Sequence, residues 1–236
     1  MAVNLPAGLP VGRPVRGPGR PPLISRGQVL ACALEVADHD GLEAVTMRRL
    51  GAELGVDPMA VSRKLGGKSA LYDGLVEHVL GEVAIPPRTG DWAADFTALA
   101  RALRATLLAH PSTVPLLGTH PPVTPGSFEV IEAAVAVLLD AGFGAQDAAD
   151  GVDCAARLVI GHVLAEAGQP PPGDTGDGDA QHQQAQQALP AAQFPGLAAI
   201  TRAGIVHDPA RLFDLALRGL LLALARQPKP TPAATG

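Results

Sequence analysis

The sequence predicts an all-α protein, with about nine to ten helices that form a three-helix head and a larger helical bundle. Alanine and leucine dominate the long segments, whose apolar residues recur every three or four positions. Apolar residues make up 47% of the chain but aromatic residues only 3%, and runs of β-branched residues are few. A chain of 236 residues can form one large helical domain, but we favour a small domain followed by a larger one.

The chain begins with a segment that cannot build a core. Residues 1–22 are rich in Pro, Gly and Arg and have no apolar period, so we predict a disordered arm. Ser25 is the predicted N-cap of a first helix that reaches about His39, and Gly41 ends it. The apolar face of this helix is formed by Leu30, Ala33, Leu34 and Ala37.

A helix-turn-helix unit is predicted within residues 46–68. Thr46 is a favourable N-cap for a short helix, and Gly55 permits the positive φ that a sharp turn after it requires. Asp57 then caps a second short helix, with Pro58 at its first position. A helix pair packed across so tight a turn is the arrangement that places a second helix in the major groove of DNA.

Basic residues are concentrated at the start of the chain. Residues 1–70 hold nine Lys or Arg against six Asp or Glu, whereas the rest of the chain holds nine against seventeen. A basic head before an acidic body suits a protein that approaches a polyanion end-on, although so small an excess also arises by chance. Arg13, Arg16 and Arg20 of the arm either contact a DNA minor groove or belong to a solubilising tail or a start-site extension.

The predicted head spans residues 23–70 and the predicted body residues 71–227. Within the body, residues 168–191 are rich in Pro, Gly, Asp and Gln and are predicted to form a flexible loop. Residues 228–236 are predicted to be a disordered tail. The predicted linking helix and the elements that follow it span residues 69–83, 92–109, 113–117, 126–141, 146–167, 193–203 and 209–226.

The last predicted helix is apolar around most of its circumference. Its only polar stripe is narrow and contains Arg211, Asp214 and Arg218. Such a helix is buried on nearly every side, either at the centre of a monomer or against a second subunit. We favour a two-fold homodimer, which presents two heads to two DNA half-sites. The apolar side chains are Leu212, Phe213, Leu215, Leu217, Leu220, Leu221, Leu222 and Leu224.

Several segments of the chain carry a resemblance to a known family. In the head these are residues 46–56 and the Lys68-Ser69-Ala70-Leu71 segment. In the body they are Leu117-Gly118-Thr119-His120-Pro121, Leu139-Asp140-Ala141-Gly142-Phe143 and Gly161-His162-Val163-Leu164. Through them most of the chain resembles the TetR family of bacterial transcriptional regulators, and the body is similar to its tetracycline-repressor branch. The resemblance implies a homodimer whose ligand-binding body moves two DNA-binding heads apart.

The resemblance also implies which residues face a double-stranded DNA operator. Arg48, Arg63 and Lys64 have the chemistry to reach phosphates or guanine edges, and Met59 or Ala60 can contact a thymine methyl group. The alternative is that the charged residues are ordinary solvated side chains of helices. The implied DNA-binding residues are Thr46, Arg48, Pro58, Met59, Ala60, Ser62, Arg63, Lys64 and Lys68.

The head departs from the family pattern at its second short helix. Ser62 stands where a tyrosine is usual, Lys64 where a histidine or tyrosine is usual, and Leu65 where an aromatic residue is usual. Gly67 replaces an asparagine. We therefore expect a different operator sequence, and the alternative function is a small-molecule-binding dimer whose head has lost or altered its DNA binding.

The body departs from tetracycline sensors in its ligand positions. Leu116 and Ala134 stand where those proteins carry a metal-binding histidine and a drug-binding glutamine, and Ala165 replaces a glutamate. Because leucine and alanine cannot coordinate Mg²⁺, we expect a small, largely apolar effector. The candidate ligand-binding residues, each of which is alternatively plain core, are Trp92, Phe96, Leu103, Leu107, Leu116, Leu117, Val130, Ala134, Val137, Leu138 and Leu158.

No other chemistry is predicted. The sequence contains no phosphate-binding loop and no nucleophile elbow, so we expect neither an enzyme nor a cofactor. His162 and Glu166 are interpreted as a polar patch rather than a metal pair, and the aspartates at 174, 177 and 179 lack the glutamate of a calcium loop.

Two further sets of residues are interpreted as structural. Cys32 and Cys154 are predicted to be reduced core residues. The histidines at 110, 120 and 207 are expected to interact with the last carbonyl groups of helices. With neither a secretion signal nor a membrane span predicted, we expect a soluble, cytoplasmic protein.

Overall fold

The computed structural model describes residues 24–167, 181, 184–185, 188–205 and 208–227. These residues contain helices and no strands, which confirms the predicted all-α class. The head consists of α1 (Arg26–Asp40), α2 (Met47–Leu54), α3 (Pro58–Leu65) and the start of α4 (Lys68–Gly81). The body consists of α5 (Trp92–Ala109), a 3-10 segment (Pro111–Gly118), α6 (Pro125–Asp140), α7 (Ala145–Ala167), α8 (Pro195–Arg202) and α9 (Pro209–Ala225).

Side-chain caps fix the starts of α1, α2 and α3, whereas α4 and a short 3-10 helix (Leu42–Ala44) have none. Ser25 forms a reciprocal capping box with Gln28 at the start of α1. Thr46 Oγ1 accepts the Arg49 N–H at 3.1 Å, and Asp57 Oδ1 accepts the Met59 N–H at 2.8 Å. All three caps were predicted, because each depends on residues only two or three positions apart.

The turn between α2 and α3 depends on two glycines. Gly55 adopts φ 64°, which supplies the left-handed residue that ends α2. Gly51 lies inside α2, and a Cβ atom placed on it would stand 2.8 Å from the Val56 carbonyl oxygen. The missing side chain therefore lets the backbone of the turn close directly onto α2.

α4 connects the head to the body. It begins after Gly67, which has φ 110°, and it ends two residues earlier than its predicted limit at residue 83. Its buried side packs against α1 and α3 in the head and against α6 in the body. Arg26 Nη1 on α1 donates to Glu77 Oε2 on α4 at 2.9 Å, which adds a polar tie to this packing.

The body is a bundle in which α5, α6 and α7 pack against one another and α9 covers α7. The Trp92 and Phe143 rings meet edge-to-face at 5.0 Å and join the starts of α5 and α7. Asp95 is buried near the start of α5. The Thr89 hydroxyl, together with the Thr89 and Gly90 amides, donates to this carboxylate and holds its pKa below the ordinary value.

Some sequence-based interpretations are wrong or lie outside the described residues. Cys154 is exposed on α7 and is not a core residue, whereas Cys32 is half-buried. The sequence misplaced Cys154 because α7 has alanine on both its buried and its exposed faces, so composition does not distinguish them. The arm at 1–22, the tail at 228–236, most of the loop at 168–191, the three aspartates in that loop and the histidine at 207 lie outside the described part. No helix in the described ranges is long and apolar enough to cross a bilayer.

Candidate DNA-binding surface and ligand cavity

The outer face of α3 carries most of the DNA-binding residues that the sequence implies. Val61 and Leu65 are buried, which turns the opposite side of the helix towards solvent. Pro58, Arg63 and Lys64 are exposed, and Met59 is 62% exposed although it is apolar. Ala60 and Ser62 are half-buried. An exposed methionine between a helix N-terminus and two cations gives this face both apolar and electrostatic contacts for a base-pair edge and its phosphates.

The two adjacent arginines of α2 have different roles. Arg49 Nη2 pairs with Asp40 Oδ2 at 2.9 Å, and Arg49 Nε pairs with Glu53 Oε1 at 2.7 Å. Arg48 is exposed and has no ion pair within the described ranges. Arg48 therefore keeps its charge free for a phosphate, and the exposed residue Thr46 lies beside it at the start of the same helix.

Lys68 lies at the N-terminal end of α4, where it is exposed. Its Nζ atom is 5.4 Å from the centroid of the Tyr72 ring, one turn further along the helix. The Tyr72 ring in turn meets His120 edge-to-face at 5.3 Å, and His120 Nδ1 lies 2.9 Å from Asp73 Oδ1. Lys68 is thus connected through one aromatic ring to a residue of the body.

His110 forms a second junction between head and body. Its Nδ1 atom lies 2.7 Å from Asp38 Oδ2 on α1, and its Nε2 atom lies 2.9 Å from Glu82 Oε2 after α4. Burial favours the neutral ring, but the hydrogen bonds to the two carboxylates outweigh it and raise the pKa of His110. The interpretation of His110 and His120 as partners of helix-end carbonyls is therefore wrong, since carboxylates distant in sequence hold both rings.

An apolar cavity of about 60 Å³ lies between α5, α6 and α7. Four of the candidate ligand-binding residues line it: Phe96, Leu103, Val130 and Ala134. Sequence analysis did not include the other lining residues, although those on α5 continue the same helical face. These are Leu99, Ala100, Ile131, Val152, Ala155, Ala156 and Val159.

The remaining candidate ligand-binding residues do not line this cavity. Leu107, Leu116, Val137 and Leu138 are buried in the core. Trp92, Leu117 and Leu158 are partly buried and pack against that core. The sequence identified these positions as apolar, but their assignment to core or cavity depends on how the helices cross.

A polar cluster lies near one end of the cavity. The guanidinium of Arg104 on α5 pairs with Glu166 on α7, and its Cζ atom lies 5.2 Å from the centroid of the Phe213 ring on α9. The His162 ring meets another side of Phe213 edge-to-face at 5.5 Å, and its Nδ1 atom lies 2.9 Å from the Leu158 carbonyl oxygen. Arg104 Nε is buried and has no hydrogen-bond partner in the described part of the chain.

Known proteins share this arrangement of a helix-turn-helix head and a helical body. Residues 86–227 match the model of the tetracycline repressor-like C-terminal domain. A helix-turn-helix transcriptional regulator of Saccharopolyspora erythraea is 31% identical over 147 residues, which cover 62% of each protein. The chain therefore spans about three-fifths of the length of that relative.

Two further proteins extend the comparison. The class A tetracycline repressor of Escherichia coli is 31% identical over 154 residues, which cover 63% of this chain and 70% of the repressor. The structure of the Streptomyces coelicolor TetR-family protein ActR in complex with actinorhodin superposes with a TM-score of 0.75 at 28% identity, covering 86% of this chain and 97% of ActR. With its matched body, its head and these relatives, the chain belongs to the TetR family of transcriptional regulators.

Proposed function

We propose that this protein is a homodimeric repressor that binds a palindromic operator and is released from it by a small, largely apolar effector. The single observation that carries this proposal is the pairing of an exposed cationic surface on α2, α3 and α4 with an apolar cavity in the attached body. Arg48 and Lys68 supply charge at the edges of this surface, and Met59 supplies an apolar contact at its centre. Relatives described as repressors, and one solved with a small molecule bound, support the same function.

The homodimer is supported by an exposed apolar face on α9. Leu212, Leu215 and Leu222 lie on one side of this helix and are 43%, 61% and 63% exposed in the single chain. Leu164 on the adjacent helix α7 is 39% exposed. A two-fold partner that repeats this surface would bury these apolar side chains, and the proposed function requires that the two heads then lie on the same side of the dimer.

The size of the cavity supports a change of shape on effector binding. A volume of about 60 Å³ is well below the roughly 300 Å³ at which pockets for drug-sized ligands begin. A drug-sized effector therefore fits only if α5, α6 and α7 move apart. Because α4 packs against α6, a displacement of α6 tilts α4 and changes the position of the head.

Release from DNA follows if the effector binds more tightly to the conformation of the body in which α5, α6 and α7 have moved apart. Binding then shifts the population towards a head spacing that fits the operator poorly, and the operator weakens effector binding by the same factor. His110 and His120 lie at the two junctions through which the displacement reaches the head. An effector with equal affinity for both states has no regulatory effect.

The test is a gel-shift titration on the promoter region next to the gene, at two salt concentrations. Arg48→Ala and Lys68→Ala are expected to weaken operator binding. Each removes one phosphate contact from each of the two subunits, so each is expected to lower the steepness of the salt dependence by about 0.9 per subunit, or about 1.8 for the dimer. Arg49→Ala is the matched control, because Arg49 is already paired with Asp40 and Glu53. If the wild-type protein has no salt-sensitive sequence preference, the repressor function is wrong.

A second candidate function is a small-molecule-binding dimer that does not read DNA. It is favoured by Ser62, which is short and half-buried, and by the consecutive positive φ angles of 91° and 110° at Gly66 and Gly67. These features reduce the reach of α3 and relax the path into α4. This second function is supported if Arg48→Ala and Lys68→Ala leave DNA binding unchanged in a dimer that still binds an apolar ligand.

A further inference from the structure

Arg104 lies beside one end of the apolar cavity. Leu103 on α5 and Val159 on α7 are the cavity residues closest to the C-terminal ends of their helices. Arg104 follows Leu103 directly, and Glu166 lies about two helical turns beyond Val159. Since Arg104 and Glu166 pair across these two helices, their ion pair lies just beyond the cavity residues of α5 and α7.

The guanidinium of Arg104 has a buried donor without a partner. One terminal nitrogen donates to Glu166, and the Phe213 ring covers the guanidinium, but the buried Nε–H has no partner within the described ranges. A buried donor without an acceptor has lost its hydrogen bonds to water without compensation, which is energetically unfavourable. An oxygen atom brought by a ligand into this end of the cavity would recover that free energy.

The charges around the cavity limit the kind of oxygen that fits. The positive charge of Arg104 is already matched by Glu166, and every residue that lines the cavity is apolar. A carboxylate or phosphate would therefore add an uncompensated charge to a low-dielectric site. A carbonyl or hydroxyl oxygen accepts the hydrogen bond without that penalty.

We propose that Arg104 Nε–H binds the effector by donating a hydrogen bond to a carbonyl or hydroxyl oxygen on an uncharged, otherwise apolar molecule. The inference rests on the proposed function, because it assigns the chemistry of the effector at the same cavity. The apolar walls supply most of the affinity, and the Arg104 hydrogen bond selects among molecules of similar size and shape.

The experiment compares two probes that differ at one position. 1-Tetralone carries a carbonyl group where tetralin carries a methylene group, and neither is ionised. Binding of each probe to the full-length protein without DNA is measured by titration calorimetry. The wild-type protein is expected to bind 1-tetralone about tenfold more tightly than tetralin, as one recovered hydrogen bond predicts.

Variants of two arginines on α5 identify the donor. Arg104→Met is expected to bring the affinity ratio of the two probes close to one while tetralin binding is retained. Arg101→Met is the matched control, because it removes an ion pair with Asp214 of α9 but leaves Arg104 intact. The double variant Arg104→Met/Glu166→Gln removes both charges together and is used if the single variant unfolds.

Three outcomes would overturn the inference. These are equal affinity of the wild-type protein for both probes, no binding of either probe, and a probe ratio that survives in both Arg104 variants. Because no DNA is present, a failure of operator binding leaves this measurement unaffected. The inference about Arg104 and the proposed repressor function can therefore fail separately.

Discussion

His110 Nδ1 lies 2.7 Å from Asp38 Oδ2, so a ring that follows α5 in the body is hydrogen-bonded to the first helix of the head. Glu82 holds the other ring nitrogen, and His78 lies 3.6 Å from the same Glu82 carboxylate. His110 is mostly buried, with 15% of its side chain exposed. The charged form of His110 therefore stabilises the junction between head and body.

The stability of this junction is expected to depend on pH. Because the folded-state pKa of His110 is raised, its contribution is complete below the ordinary value of 6.5 and is lost as the pH rises through the raised pKa. Urea unfolding at fixed protein concentration, on both sides of this range, should show a lower free energy of unfolding at the higher pH. His110→Gln should remove this difference.

His39→Gln is the control for that experiment. His39 also contacts a carboxylate, on Asp40, but its side chain is 87% exposed. Solvent screening makes such a contact weak, so this variant should keep the pH dependence of the wild-type protein. An equal effect of both substitutions would mean that the junction at His110 does not determine the pH dependence.

The glycine inside α2 gives a prediction about stability. Gly51→Ala places a methyl group 2.8 Å from the Val56 carbonyl oxygen and 3.2 Å from the Pro58 nitrogen, both of which are backbone atoms. The turn must move to accommodate it, and we expect a loss of about 1–3 kcal/mol in the free energy of unfolding. Gly27→Ala on α1 adds a methyl group with no other atom within 4 Å. Because alanine favours the helix more than glycine does, this variant should instead be more stable by up to about 1 kcal/mol. Thermal unfolding that shifts in the same direction for both variants would contradict this explanation.

The head could be predicted from the sequence in more detail than the body could. Ser25, Thr46 and Asp57 cap helices through atoms two or three residues away, so local pattern is sufficient to identify them. His110 and Asp38 are 72 residues apart, and no spacing rule relates them.

The cavity shows the same limit. Phe96 and Leu103 follow one helical face and were identified, but Val159 lines the cavity only because α7 crosses α5 at that level. Leu107 on α5 and Leu138 on α6 are equally apolar in sequence, yet the packing of the helices places both in the core.

The ring beneath Lys68 gives a prediction about DNA affinity. Tyr72 contributes no charge, but it restricts where the Lys68 ammonium group lies. Tyr72→Leu is expected to weaken operator binding by about two- to fivefold for each half-site, which corresponds to a cation–π contribution of roughly 0.5–1 kcal/mol per subunit. The salt dependence of binding should keep its slope, because the Lys68 charge remains. Lys68→Ala should lower that slope by about 0.9 per subunit, or about 1.8 for the dimer, so titrations at several salt concentrations separate positioning from charge. A slope that also falls in Tyr72→Leu would assign a different role to the ring.

The exposed leucines of α9 give a prediction about assembly. Leu215 and Leu222 are 61% and 63% exposed in the single chain, and both lie on the face that also presents Leu212. If a second copy covers this face, a glutamate at either position places a carboxylate in an apolar interface, where its desolvation is not compensated. Leu215→Glu and Leu222→Glu are therefore expected to be monomeric in light scattering at micromolar concentrations, and to lose operator binding because two half-sites no longer bind one particle. Val123→Glu is the matched control, because Val123 is 60% exposed but lies in the segment before α6 and not on α9. Dimers that persist in both leucine variants would show that the subunits associate through another surface.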